Sequence, residues 1–137
     1  CQVLNVYGPT ENTVISTIHA FSRGDSSANI GKPLANVQAF VVDGSFQLVP
    51  IGVPGELLLG GMNLSSGYLN RSNLTEERFV DNPFSLGQKV YRTGDLVRWV
   101  DNGDLEFLGR IDSQVKLRGF RIELGEIESF LSKIPGV

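Results

Sequence analysis

Residues 5–13, Asn5-Val6-Tyr7-Gly8-Pro9-Thr10-Glu11-Asn12-Thr13, put an aromatic ring, a Gly-Pro turn, a hydroxyl and a carboxylate on neighbouring positions directly after an apolar run. Pro9 fixes φ and Gly8 tolerates backbone angles closed to other residues, so the chain leaves a short strand over residues 3–6 and turns here. The turn suits nucleotide handling. Tyr7 can stack on a base, Thr10 can hydrogen-bond a phosphate oxygen, and Glu11 can offer Mg²⁺ a hard oxygen ligand. The plainer reading of the same composition is a strand end, a turn and a solvated carboxylate.

Beyond the turn, residues 14–21 and 37–43 are rich in β-branched and aromatic side chains and read as strands flanking a polar loop. Asp43-Gly44 marks a hairpin turn, and Pro50, Gly52, Pro54 and Gly55 precede a short strand over residues 56–59. Residues 74–80 read as a helix with Thr75 as N-cap and acidic residues in its first turn. Strands follow over residues 90–93, 96–100 and 105–108, the last two joined by the turn Asp101-Asn102-Gly103-Asp104. A second hairpin is expected over residues 114–123 around Arg118-Gly119. Ile127, Phe130, Leu131 and Ile134 fall at i, i+3, i+4 and i+7, which gives a final helix one apolar face before Pro135-Gly136 stops it. The fold class is α+β, β-rich, built from small antiparallel sheets.

Composition narrows the function. With 137 residues, 41% hydrophobic and 20% charged, the chain can bury a real core and is neither disordered nor collagen-like. No apolar run approaches the roughly 20 residues of a membrane span and the start lacks a signal-peptide pattern, so no membrane partner is expected and the expected location is cytoplasmic. Cys1 is the single cysteine and His19 the single histidine, which excludes an internal disulfide and a structural zinc site. A net charge of −3 argues against a nucleic-acid partner. Locally, however, Arg110, Lys116, Arg118 and Arg121 gather four of the twelve basic residues. His19 lacks a nucleophile or acid at catalytic spacing and reads as structural; Cys1, Trp99, Phe40, Phe46 and Phe84 read as packing residues.

The opening stretch resembles the Asn-x-Tyr-Gly-Pro-Thr-Glu signature of adenylation domains of non-ribosomal peptide synthetases, in the adenylate-forming superfamily. Gly55-Glu56-Leu57-Leu58-Leu59-Gly60-Gly61 with Gly67-Tyr68-Leu69, then Tyr91-Arg92-Thr93-Gly94-Asp95-Leu96, are similar to the next two family blocks. Residues 109–128, GRIDSQVKLRGFRIELGEIE, resemble the block that crosses into the small C-terminal domain. Four blocks in order are far more specific than any one of them.

The resemblance implies that residues 1–111 are the late part of the large domain, strands plus a small distorted β-barrel, and residues 112–137 the start of the small α+β domain. It implies ATP and Mg²⁺ as cofactors, an amino-acid substrate, and peptidyl carrier and condensation domains as partners, the carrier bearing phosphopantetheine. Tyr7 and Gly8 would lie against the nucleotide, Thr10 would contact the α-phosphate, Glu11 would hold Mg²⁺, Asp95 would accept the ribose hydroxyls, and Arg110 would reach the ribose and phosphates. Phe107 is open to two readings, adenine lining or core. Val6, Val14 and Ile15 match side-chain pocket positions, and being apolar they tilt the substrate toward an apolar side chain. Asp112 matches the hinge, and Lys116, Arg118 and Gly119 the loop of the thioester-forming state. Ser65-Ser66 departs from the small-residue-plus-Arg pair usual in the family.

The resemblance also implies a phosphate loop upstream and a catalytic lysine downstream, neither within these residues. The chain is therefore expected to be a piece of a longer one, inactive by itself. Aminoadipate-reductase-like and acyl- or aryl-CoA ligase domains share the nucleotide motifs, and a non-catalytic fragment is the reading of another class.

Overall fold

The computed structural model describes residues 1–112, 115–117, 120–122 and 124–134, with backbone alone for 115–117, 120–122, 124 and 126. The chain opens with β1 (Val3–Tyr7), a 3-10 turn (Thr10–Asn12), β2 (Thr17–Phe21), β3 (Asn29–Pro33), β4 (Val37–Val42) and β5 (Gly55–Gly61). It continues with α1 (Ser72–Arg78), β6 (Phe79–Asp81), β7 (Lys89–Trp99), β8 (Leu105–Arg110), the hairpin β9 (Val115–Leu117) and β10 (Phe120–Ile122), and α2 (Leu124–Leu131).

Eight strands form one antiparallel sheet in the order β1-β2-β3-β8-β7-β5-β4, with β6 paired to β7. This is the β-rich α+β fold the sequence implies, but the sheet is open, with β1 and β4 at its ends, in place of the small barrel. The long β7 explains the branching. Along one side it pairs with β5 throughout, and along the other with β8 near its end and β6 near its start.

The core lies on both faces of β4 and β5. Because side chains alternate along a strand, Val41, Leu57 and Leu59 join Ile30, Val97 and Leu105 in one cluster, while Val42 and Leu58 turn the other way to meet Val90. A strand covered on both faces has no polar alternation to show, which is why Leu57-Leu58-Leu59 is a continuous apolar run. Each of these leucines is fully buried, a contribution of about 1.5–3 kcal/mol apiece relative to exposure.

Several sequence expectations shift. β3 forms where composition points to a loop, since Gly31 and Pro33 discourage strands, but Gly31 (φ 75°) is needed there: a Cβ would lie 1.9 Å from Ile18 O on the neighbouring strand. The strand expected over residues 14–21 begins only at Thr17, since Thr13 and Val14 adopt positive φ. The strands expected over residues 90–93 and 96–100 are one strand, β7, kinked at Gly94 (φ 69°) with a register shift just beyond it. Residues 79–80 leave the expected helix to form β6, and Thr75 is not its N-cap, because α1 begins at Ser72 and has no acidic residue in its first turn. Instead the Thr75 hydroxyl donates to Arg71 O and accepts the Tyr68 N–H. The Asp43 turn is wider than Asp43-Gly44, with the Asp43 carboxylate accepting the N–H groups of Ser45 and Gln47. The second hairpin and α2 are present, with Ile127, Phe130, Leu131 and Ile134 all exposed. The Pro135-Gly136 stop lies outside the described residues. Cys1 is exposed, against the packing reading.

Candidate functional site

β1 ends at Tyr7, and the loop that follows folds back so that Ser16 N–H donates to Tyr7 O (2.8 Å). Gly8 lies against the returning backbone: a Cβ there would be 2.5 Å from Val14 O. The loop interior is polar but satisfied in part by its own residues. Ser16 Oγ donates to Asn12 Oδ1 (2.9 Å), and Thr17 Oγ1 donates to Ile30 O (2.6 Å). This backbone carries Glu11 inward, where it is 5% exposed, rather than leaving it solvated as the plainer reading of the turn required.

Asp95 of β7 and Arg110 of β8 are cross-strand partners. Arg110 donates through one terminal nitrogen to Asp95 Oδ1 (2.6 Å) and through Nε and the other terminal nitrogen to Asp112 Oδ1 and Oδ2 (2.6 Å each). The planar fork of a guanidinium allows both carboxylates at once. Tyr7 packs its ring against the main core cluster and donates its hydroxyl to Asp95 Oδ2. Tyr7 thus reaches across the sheet to a residue 88 positions away.

The electrostatics follow the geometry. Burial first, then the charge and hydrogen bond of Asp95, push the Tyr7 hydroxyl well above its ordinary value, so it remains a donor. Burial pulls Arg110 down, but the Asp112 hydrogen bonds and the charges of Asp95 and Asp112 outweigh it and hold the guanidinium more firmly protonated. Gly94 is the pivot of this arrangement, since a Cβ there would lie 2.8 Å from both the Arg110 guanidinium and the Asp112 carboxylate. Ile111 N–H donates to Gly94 O (2.9 Å), which pins the chain on its way to Asp112.

A second carboxylate site lies at the turn. Tyr68 donates its hydroxyl to Glu11 Oε1 (2.6 Å), and burial followed by that bond pushes the Tyr68 hydroxyl up. Ser65 N–H donates to Glu11 O, and Thr13 Oγ1 to Asn63 O, so the loop after β5 wraps the turn.

The family profile described as "AMP-binding enzyme" matches residues 1–69. The chain belongs to this family. Over 96% of its length it is 55% identical to tyrocidine synthase 3 of Brevibacillus parabrevis, and over 99% it is 53% identical to bacitracin synthase 3 of Bacillus licheniformis. It spans only 2% of the length of each. Among solved structures it is similar to holo-PA1221, an NRPS protein containing adenylation and PCP domains bound to a vinylsulfonamide inhibitor, with a TM-score of 0.90, 34% identity, 98% of this chain and 24% of that one. The sequence resemblance to adenylation domains of peptide synthetases is thereby borne out, and with it the β-rich fold.

Two buried carboxylates, Asp95 and Glu11, supply the acceptor oxygens that a nucleotide and its metal would need. Asp95 offers two oxygens with about four acceptor positions, so ribose hydroxyls could share or replace the Tyr7 and Arg110 donors. Among the described residues no group of three or more His, Cys, Asp or Glu could hold a metal ion. A lone carboxylate such as Glu11 suits Mg²⁺ carried by phosphates, which needs only one or two protein carboxylates. The donor set fits both.

Other sequence-selected residues divide plainly. Tyr7, Asp95, Arg110 and Asp112 meet in one network, and Glu11 meets Tyr68 at the turn. Thr10 is exposed at the start of the 3-10 turn. Phe107 packs against the main core cluster. Val6 and Val14 are exposed and Ile15 is half-buried. Lys116 is described by its backbone alone, and Arg118 and Gly119 lie outside the described residues. His19 does have acid neighbours, Asp25 (2.8 Å) and Asp104 (3.3 Å), which bind β2 to flanking turns in the structural role expected of it. Tyr68, which meets Glu11, was not singled out by sequence reasoning; its place in the Gly67-Tyr68-Leu69 block was the signal available. A groove of about 540 Å³ lined by Asn36, Gln38, Met62 and Lys89 takes in none of these residues. No helix among the described residues is long and apolar enough to cross a membrane.

Proposed function

We propose that the chain is the later part of an amino-acid-activating adenylation domain, which joins an amino acid to ATP as aminoacyl-AMP with release of pyrophosphate and then transfers it to the thiol of phosphopantetheine on a carrier domain. The observation that carries the reading is the meeting of Tyr7, Asp95 and Arg110, drawn from three separate motif blocks, in one buried network. In this reading Asp95 accepts the ribose hydroxyls, Tyr7 and Gly8 border the adenine, and Thr10 and Arg110 hold phosphate oxygens. Glu11 would hold Mg²⁺, which when bound supplies charge neutralisation at the phosphates. Val6, Val14 and Ile15 would border an apolar substrate side chain.

Residues 1–111 belong in this reading to the large domain and residues 112–137 to the small one, with Asp112 as the hinge and Lys116, Arg118 and Gly119 on the loop used in thioester formation. The Asp112–Arg110 contact ties the hinge to the nucleotide residue Asp95 through one guanidinium. Peptidyl carrier and condensation domains are the partners, and the cytoplasm is the location.

ATP–pyrophosphate exchange across a panel of amino acids tests this in the full-length protein. Exchange stimulated most by an amino acid with an apolar side chain is expected, with little or none from the 137-residue chain alone. A full-length protein that exchanges with no amino acid, or only with a carboxylic acid lacking an α-amino group, would overturn it.

A further inference from the structure

Glu11 lies 5% exposed at its turn, so bulk water does not choose its orientation; the donors built around it do. The loop after β5 supplies them. Thr13 Oγ1 donating to Asn63 O (2.7 Å) and Ser65 N–H donating to Glu11 O (2.9 Å) lock the two backbones together, and Tyr68 then donates its hydroxyl to Glu11 Oε1 (2.6 Å). Tyr68 is itself held from behind. Its ring stands edge-on to Phe79 with centroids 5.6 Å apart, and its N–H donates to Thr75 Oγ1 (2.9 Å) on α1. Gly67 passes so close to α1 that a Cβ would lie 2.4 Å from the Thr75 methyl.

We propose that Tyr68 is a positioning residue for metal–nucleotide binding: its hydroxyl fixes Glu11 Oε1, so that the carboxylate meets a divalent cation carried on nucleotide phosphates in one set orientation. The inference rests on the nucleotide reading above and extends it to a side chain outside the Glu11 turn. Donors behind a ligating carboxylate commonly govern metal affinity by about 10–100-fold. A phenol is suited to the task because it donates without adding a charge that would repel the cation.

The test is an electron paramagnetic resonance titration of Mn²⁺ into the full-length protein with ATP present, compared with Y68F. Phenylalanine keeps the ring against Phe79 and removes only the hydroxyl. The expected result is roughly tenfold weaker ATP-dependent Mn²⁺ retention, with ATP affinity in the absence of divalent cation unchanged. Unchanged Mn²⁺ retention in Y68F overturns the inference while leaving the nucleotide reading standing. Equal loss of Mn²⁺ retention and of cation-free ATP binding marks a merely structural tyrosine and also overturns it. A wild-type protein that retains no Mn²⁺ with ATP overturns the nucleotide reading, and this inference with it.

Discussion

Asp95 and Glu11 are both buried carboxylates met by a tyrosine hydroxyl, yet they are built differently. Asp95 lies mid-strand opposite Arg110, so a guanidinium joins the phenol and the pair is rigid through the β7–β8 ladder. Glu11 lies on a loop, and its orientation depends on a second loop wrapped around it. The difference teaches where support comes from: strand register places a counter-charge directly, whereas a loop carboxylate needs a separate segment to hold it.

The largest break in that comparison would come from R110M. It leaves Asp95 buried without its cation and should cost about 3 kcal/mol in urea unfolding. A loss below about 1 kcal/mol would show that the strand ladder, not the guanidinium, keeps Asp95 in place. Next is G94A, where a positive φ and a Cβ pressed 2.8 Å from both Arg110 and Asp112 should together cost roughly 2 kcal/mol and loosen the Arg110–Asp112 contact. Wild-type stability there would mean the fork has room to move aside. Y7F removes the hydroxyl from Asp95 but leaves Arg110, so about 1.5 kcal/mol is expected by the same unfolding measurement. A cost above that of R110M would reverse the ranking of phenol and guanidinium.

The smallest effect belongs to a third, far more exposed carboxylate. The Ser22 N–H, then His19, hold Asp25 below its ordinary value, and its contribution to stability is therefore complete above the unfolded-state value near pH ~4 and lost as pH falls through the lowered one. D25N should flatten that part of the acid limb in thermal unfolding between neutral and strongly acid pH. An unchanged acid limb would show that the Ser22 and His19 contacts to Asp25 do not favour the folded state.

Much of this molecule is legible in its sequence. The motif blocks and turn signals bring the family, the β-rich class and the strand over residues 56–59 into view, because family spacing and apolar runs are local properties of a chain. The failures are also local. β3 hides behind Gly31 and Pro33, whose usual meaning is a turn, whereas Ile18 O on the neighbouring strand requires a residue without a side chain. Thr75 carries the signature of a helix cap, but its hydroxyl is used within α1 and on Tyr68. Gly94 reads as an end between two strands, whereas it is a kink within one.

The sequence by itself determined which side chains stand within ordered motifs, a phenol, two carboxylates and an arginine, and the loop composition that leaves strands at Gly8-Pro9. Only the tertiary structure decided how they combine. Pairing Tyr7 with Asp95 across 88 residues, and Tyr68 with Glu11 across 57, depends on strand order and loop wrapping. Composition and short-range periodicity encode the propensity to form each element, but contact between elements is set by which buried faces meet, and that is a property of the folded chain as a whole.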